Sequence, residues 1–406
     1  MIKKTLKKFS DLSTDTKSIL IIGVLINISE MIQQIYINIF IFKTSSLEFL
    51  IIFNMLYFTA IFLAYNIAGF IAAKLRINLK YYFYSLIIST LIGLIVAFII
   101  GGNVGYYAFI LINAIGTGFF RVANNTYVLN KLKEDELDFY GSTKISLLGI
   151  LKIIVPLLAG VLFLSIPIEV INPFYIVILL GPIFFLGAIP SIKKVSGYQL
   201  KKSDFQFKYF VDFFRLSDIY SLVYQFFFRS PDARGVVTYV LAIIILKNEV
   251  NLSGFEALLG AISILFTFML GHKQNPKNRQ KLIFVFAFLL LALHIILGLN
   301  VNLLGYTIFA LGMIVVYPMF QVAITPFNIT IMKPVQGKIN DFMLTIIRDL
   351  LYYTSRIFFL TVLYFMFKGH ENNTEALSIA IIFLGFTPII LSSCIMLSNK
   401  LNNKNN

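Results

Sequence analysis

The sequence has no tryptophan, one cysteine and three histidines in 406 residues, and only 13% of it is charged. A lone Cys394 excludes an internal disulfide and any thiolate cluster. His272, His294 and His370 lie too far apart in sequence to form a metal-ligand motif, so no metal or other cofactor is expected. A soluble domain carries about 25% charged residues and about 45–50% apolar ones. Here the apolar share is 58% and the mean hydropathy is +0.85. A soluble enzyme, a coiled coil and a disordered chain are thereby excluded. Without tryptophan, the 21 tyrosines must supply most of any interfacial aromatic belt.

What the sequence has in excess is long apolar runs. Twelve candidate spans follow one another, from Ser18–Phe42 to Ala376–Leu397, each meeting the requirement of about 20 residues for a bilayer. Short polar breaks separate them, such as Lys43-Thr44-Ser45-Ser46 and Gly101-Gly102-Asn103. Met1–Lys17 is basic and polar, with no small-residue cleavage site, so it does not read as a cleaved signal. With the N-terminus placed in the cytoplasm, 24 Lys and Arg fall in cytoplasmic segments and 3 (Lys43, Lys247 and Lys368) in external ones. The formal charge of +15 is therefore read as topology, with both termini cytoplasmic, and not as nucleic-acid binding. The abundance of Ile, Lys and Asn suggests an AT-rich bacterial genome, hence a multi-pass protein of the plasma membrane.

The longest polar segment, Lys193–Asp212, mixes lysines with aromatics and leads into Phe213-Phe214. It is read as a linker with a helix lying on the bilayer surface. It divides the chain into a six-helix bundle over 1–192, a linker over 193–214 and a second six-helix bundle over 215–406. Lys144 and Lys152 in span five have the same separation as Arg348 and Arg356 in span eleven, a trace of internal repetition.

This layout resembles the major facilitator superfamily. Gly69-Phe70-Ile71-Ala72-Ala73-Lys74-Leu75-Arg76 lies where that family has Gly-x-x-x-Asp-Arg-x-Gly. Ala73 stands for the acid and Arg76 for the second glycine. Gly116-Thr117-Gly118 is similar to the family's Gly-x-Gly in span four, with Ile112 where the family's arginine is expected. Gly149 through Pro156 to Gly160 is similar to its fifth helix. The resemblance implies an all-α membrane protein of two pseudo-symmetric six-helix bundles that rock about a central site.

A charge in mid-membrane costs about 2.5–3.5 kcal/mol, so each asks for a partner or a function. Asn27, Glu30, Gln34 and Asn38 form a polar stripe on span one. Thr117, Arg121 and Asn125 do so on span four, and Tyr317 and Gln321 on span ten. Lys152, Arg229, Arg234, Arg348 and Arg356 add deep bases, Asp232 and Asp349 deep acids. Spans one, four, five, seven, ten and eleven are thus expected to line a wet cavity with a charge excess of +3. His294 is read as an interhelical hydrogen bonder. An excess of base attracts anions, and arginine holds carboxylate or phosphate with two parallel bonds. Lys152 and Arg356 are the candidate clamp; Glu30, Asp232 and Asp349 are candidates for a coupling proton.

The resulting expectation is a secondary transporter, monomeric, moving a small polar solute with anionic character. No Gly-x-x-x-x-Gly-Lys-Ser/Thr loop is present for ATP. The alternatives are a proton-coupled exporter of amphipathic compounds and a lipid flippase.

Overall fold

In lipid a backbone must satisfy its own hydrogen bonds, and helices do so segment by segment. The computed structural model of the chain describes residues 12–131, 134–166, 172–200, 206–228, 230–270, 279–330, 339–369 and 374–405. Among the described residues no strand forms, and Asn78 and Gln199 make an isolated antiparallel bridge.

Twelve helices follow the apolar runs. They are α1 (Thr14–Thr44), α2 (Leu47–Leu75), α3 (Leu79–Ile100), α4 (Gly102–Lys131), α5 (Glu134–Ser165) and α6 (Pro173–Lys194). After a linker helix (Phe207–Leu216) come α7 (Ile219–Leu246), α8 (Glu249–Leu270), α9 (Arg279–Leu299), α10 (Leu303–Thr330), α11 (Asp341–Phe367) and α12 (Thr374–Ser398). Among the described residues, nine of them are long and apolar enough to cross a membrane: α1 to α4, α6 and α9 to α12. α5 contributes the apolar stretch Ile150–Ser165, and α7 and α8 meet at 118°. The 22-residue α8 reaches span length on its own, and so do the 9- and 17-residue segments of α7 taken together. Counted separately they give an architecture consistent with twelve spans.

The polar breaks in the sequence become helix caps. Ser46 accepts the Phe49 amide at 3.1 Å, Asp218 the Ser221 amide at 2.8 Å and Asn340 the Phe342 amide at 2.8 Å. α5 starts eight residues before the apolar run that marks it. The sequence there reads Glu134-Asp135-Glu136, and acids favour a helix N-terminus. Arg76 closes α2 in the left-handed conformation, φ 52° and ψ 41°, at the position of the family motif's second glycine. That conformation costs a side-chain-bearing residue about 1–2 kcal/mol.

Two irregularities interrupt otherwise regular helices. Gln33–Ile37 is a π-helical turn inside α1. α7 is divided into Ile219–Phe227 and Ser230–Leu246, with Pro231 at the start of the second segment. Both lie within a few residues of an acid, Glu30 and Asp232.

Two seams join the N-terminal six helices to the C-terminal six. In one, α5 runs antiparallel to α8, with Gly160 against Ser253 and the Lys152 carbonyl against Gly260. In the other, Gly69 of α2 lies against Phe342 and Ile346 of α11. Further along that seam Phe62 stacks on Tyr353 with ring centroids 4.2 Å apart. The buried apolar residues form two clusters, each drawing on both sets of six helices. Along α1 the change from one cluster to the other falls between Ile26 and Ile28; along α7 it falls between Tyr224 and Ala233. Glu30 and Asp232 sit close to those changes, at a polar waist. On the outside, Leu56, Leu63, Ile67 and Phe70 of α2 are exposed in a row, as a lipid-facing surface requires. The linker helix buries Phe213 and exposes Phe207, Val211 and Phe214, which share one face.

Candidate substrate cavity

A cavity of about 200 Å³ occupies the waist. α1 contributes Glu30, Ile37 and Asn38; α2 contributes Phe53, Asn54, Tyr57 and Phe58. Arg121 enters from α4, Asp232, Gly235, Val236 and Tyr239 from α7, and Arg356 from α11.

Two ion pairs organise its walls. Arg121 Nη2 donates to Glu30 Oε1 at 2.8 Å, joining α4 to α1. Arg356 Nε donates to Asp232 Oδ2 at 2.6 Å, joining α11 to α7. The Arg121 and Glu30 side chains keep 26% and 27% of their surface open, whereas Arg356 keeps only 6%. Each pair answers the cost of a charge placed in hydrocarbon. The Arg356 guanidinium lies 4.9 Å from the centre of the Phe58 ring, across the boundary between the two sets of six helices. Tyr57 shares the lining with both pairs and is within electrostatic reach of Glu30, Arg121 and Arg356. Asn54 Nδ2 donates to Asn38 Oδ1 at 3.0 Å, tying α2 to the far end of the α1 stripe.

The structure brings Glu30, Asn38, Arg121, Asp232 and Arg356 to this one place. Of the other residues singled out from sequence, those described go elsewhere. Asn27 donates to the Gly23 carbonyl of its own helix. The Gln34 side chain and Arg229 lie outside the described residues. Asn125, one turn beyond Arg121, is half-buried and does not line the cavity. Lys152 is exposed, at the α5–α8 seam. Arg234 lies over the Tyr317 ring at 4.6 Å, so α10's tyrosine is covered by α7's arginine. Gln321 is half-buried one turn further along α10. Asp349 is half-buried within electrostatic reach of Arg121, outside the lining. His294 Nδ1 bonds the Leu290 carbonyl of its own helix at 2.6 Å, in place of the interhelical partner expected for it.

Two expectations therefore change. Among the described residues the lining comes from α1, α2, α4, α7 and α11, and none of it from α5 or α10. The described lining also shows no excess of base: it holds two arginines and two acids, each arginine joined to an acid. The residues that sequence reasoning missed are Asn54, Tyr57 and Phe58 of α2. An asparagine in an apolar run, with Tyr57 three and Phe58 four residues on, was the available signal.

No family model and no curated relative matches the chain by sequence. Solved structures do match. A bacterial homologue of the human drug peptide transporters superposes with a TM-score of 0.70 at 9% identity, covering 97% of this chain and 99% of that one. The nucleoside transporter NupG, as a mutant, gives 0.61 at 12%, covering 94% and 99%. A bacterial metal transporter gives 0.60 at 12%, covering 96% and 99%. At these identities the likeness concerns the fold alone, an all-helical one.

Proposed function

We propose that this chain, having the fold of major facilitator transporters, is a secondary transporter that carries a small polar solute with an anionic group, with protons as the coupling ion. The observation that supports this reading most is the pair of arginine–carboxylate contacts facing one cavity, one contributed by each set of six helices. A volume of about 200 Å³ lies below the usual 300–1,000 Å³ of drug-sized pockets, which suits a small solute. Both arginines already have partners, so an arriving carboxylate or phosphate must replace Glu30 or Asp232 on its arginine. A proton taken up by an acidic side chain within the bundle then crosses together with the solute. Alternating access would follow from rocking about the α2–α11 and α5–α8 seams, in a plasma membrane with both termini cytoplasmic. Monomeric action and the division at 193–214 belong to the same proposal.

The aromatic part of the lining, Phe53, Tyr57, Phe58 and Tyr239, favours a second reading, export of amphipathic cations. Counterflow in proteoliposomes separates the two. Small carboxylates and phosphates should exchange, and an imposed proton gradient should drive their accumulation. Exchange of lipophilic cations alone would put the exporter first, and exchange of neither class would end both readings.

A further inference from the structure

Glu256 sits two turns inside α8, at neither helix end, and is half-buried. From sequence it reads as an acid near a helix end with access to water; the fold instead walls it with groups from four other helices. Lys152 of α5 is within its electrostatic reach, and the Lys152 carbonyl packs on Gly260, one turn from Glu256. Tyr36 of α1 is hydrogen-bonded to Ser253, three residues before it, at 2.9 Å. Tyr306 of α10 packs on Phe255 with ring centroids 5.4 Å apart. Tyr239 of α7 completes the group and also lines the cavity. Arg234 is close to Tyr239, and the Lys43–Glu249 ion pair closes the same end of α8. Lys152 and Glu256 belong to opposite sets of six helices that meet at this seam, and among the described residues no ion pair closes between them.

We propose that Glu256 is the residue that takes up the coupling proton, and that its charge governs the α5–α8 seam. The inference rests on the transporter reading above and specifies which acid serves it. Glu30 and Asp232 are each committed to an arginine at hydrogen-bond distance. Among the described residues none hydrogen-bonds the Glu256 carboxylate. Its neighbours are phenols, which are neutral at working pH and able to relay a proton, and Tyr239 connects it to the cavity. Ionised Glu256 attracts Lys152 and holds α5 against α8. A proton taken from water onto a Glu256 carboxylate oxygen cancels that attraction, and the seam loosens. Loss of the proton to the other side restores it. One proton moves per cycle, on and off the Glu256 carboxylate.

The test needs no solute. Spin labels at Asn103→Cys and Asn300→Cys, in a Cys394→Ser background, report the separation of the two sets of helices at the end of the bundle away from the N-terminus. The full chain in liposomes should change its distance distribution between pH 8 and pH 5. Glu256→Gln should show the acid distribution at both pH values, and Lys152→Gln should do the same if Glu256→Gln fails to fold. A pH response preserved in Glu256→Gln, preserved in Lys152→Gln where that variant stands in, or missing from the unsubstituted chain, would overturn the proposal. Labels that respond as proposed in a chain that exchanges no solute would instead remove the transporter reading and leave the seam switch standing.

Discussion

The N-terminal and C-terminal six helices meet the same electrostatic requirement in different ways. In the first set, Glu30 of α1 is answered from α4, and both side chains stay about one-quarter open. In the second, Asp232 of α7, the counterpart of α1, is answered from α11, and Arg356 is almost closed off beneath Phe58. The counterpart of α4 in the second set is α10, and it offers Tyr317 to Arg234 where α4 offers an arginine to an acid. Pseudo-symmetry thus preserves a charged pair on the first helix of each set while the helix that answers it has changed. The exposed pair has room to let go of its partner. The closed pair is held by shape as well as charge.

Breaking the closed pair should have the largest effect. Arg356→Ala leaves Asp232 in the membrane without its arginine, which costs about 3–5 kcal/mol for a buried pair. The expected result is a marked fall in thermal stability in detergent and loss of transport. Arg356→Lys keeps the charge and loses the fork. Stability should stay near that of the unsubstituted chain while KM for an anionic solute rises about tenfold, a change of about 1.4 kcal/mol. Normal anion transport by Arg356→Lys would show that the closed pair is only structural. An intermediate effect is expected at Phe58→Leu, which removes a cation–π contact of about 0.5–2 kcal/mol and opens Arg356 to the cavity. Differential scanning of that variant beside Arg121→Lys measures how much of the asymmetry belongs to the ring. The smallest effect is expected at Lys43→Gln. Its contact with Glu249 joins the two sets at a surface where ion pairs contribute about 0–1 kcal/mol. A melting shift beyond about 4 °C there would mean that this end of the bundle is held far more tightly than its exposure implies.

Much of this was legible in the sequence, and the limits have a physical origin. The apolar runs located the helices because lipid leaves a spanning backbone no other choice. The 3- and 4-residue steps on α1 and α4 put Glu30 and Arg121 on one face each, and the structure joins them. Spacing along a helix states which residues share a face, and it is silent on what the face meets. Lys152 and Arg356 match in sequence, yet α5 presses its Lys152 turn onto Gly260 while α11 turns Arg356 inward. Asn54 was hidden for a related reason: a single polar residue makes no stripe, and its partner Asn38 lies sixteen residues away on another helix. Glu256 was discounted by its nearness to a helix start, a criterion that measures distance along the chain and not from water.

The π-helical turn in α1 has a consequence for how the chain tolerates a change of length. In a regular helix each residue advances about 100°, so eight steps from Glu30 to Asn38 would leave them about 80° apart. A π-turn absorbs one residue, and the remaining seven effective steps bring the two within about 20°. Glu30 and Asn38 do face the same cavity. Loss of one residue within Gln33–Ile37 would turn that stretch into ordinary helix, with everything after it keeping its present rotation. The same loss one turn earlier would swing Glu30 away from Arg121. α1 therefore carries, in the middle of the membrane, a single segment where the length of the gene product can vary by one without disturbing what lies on either side.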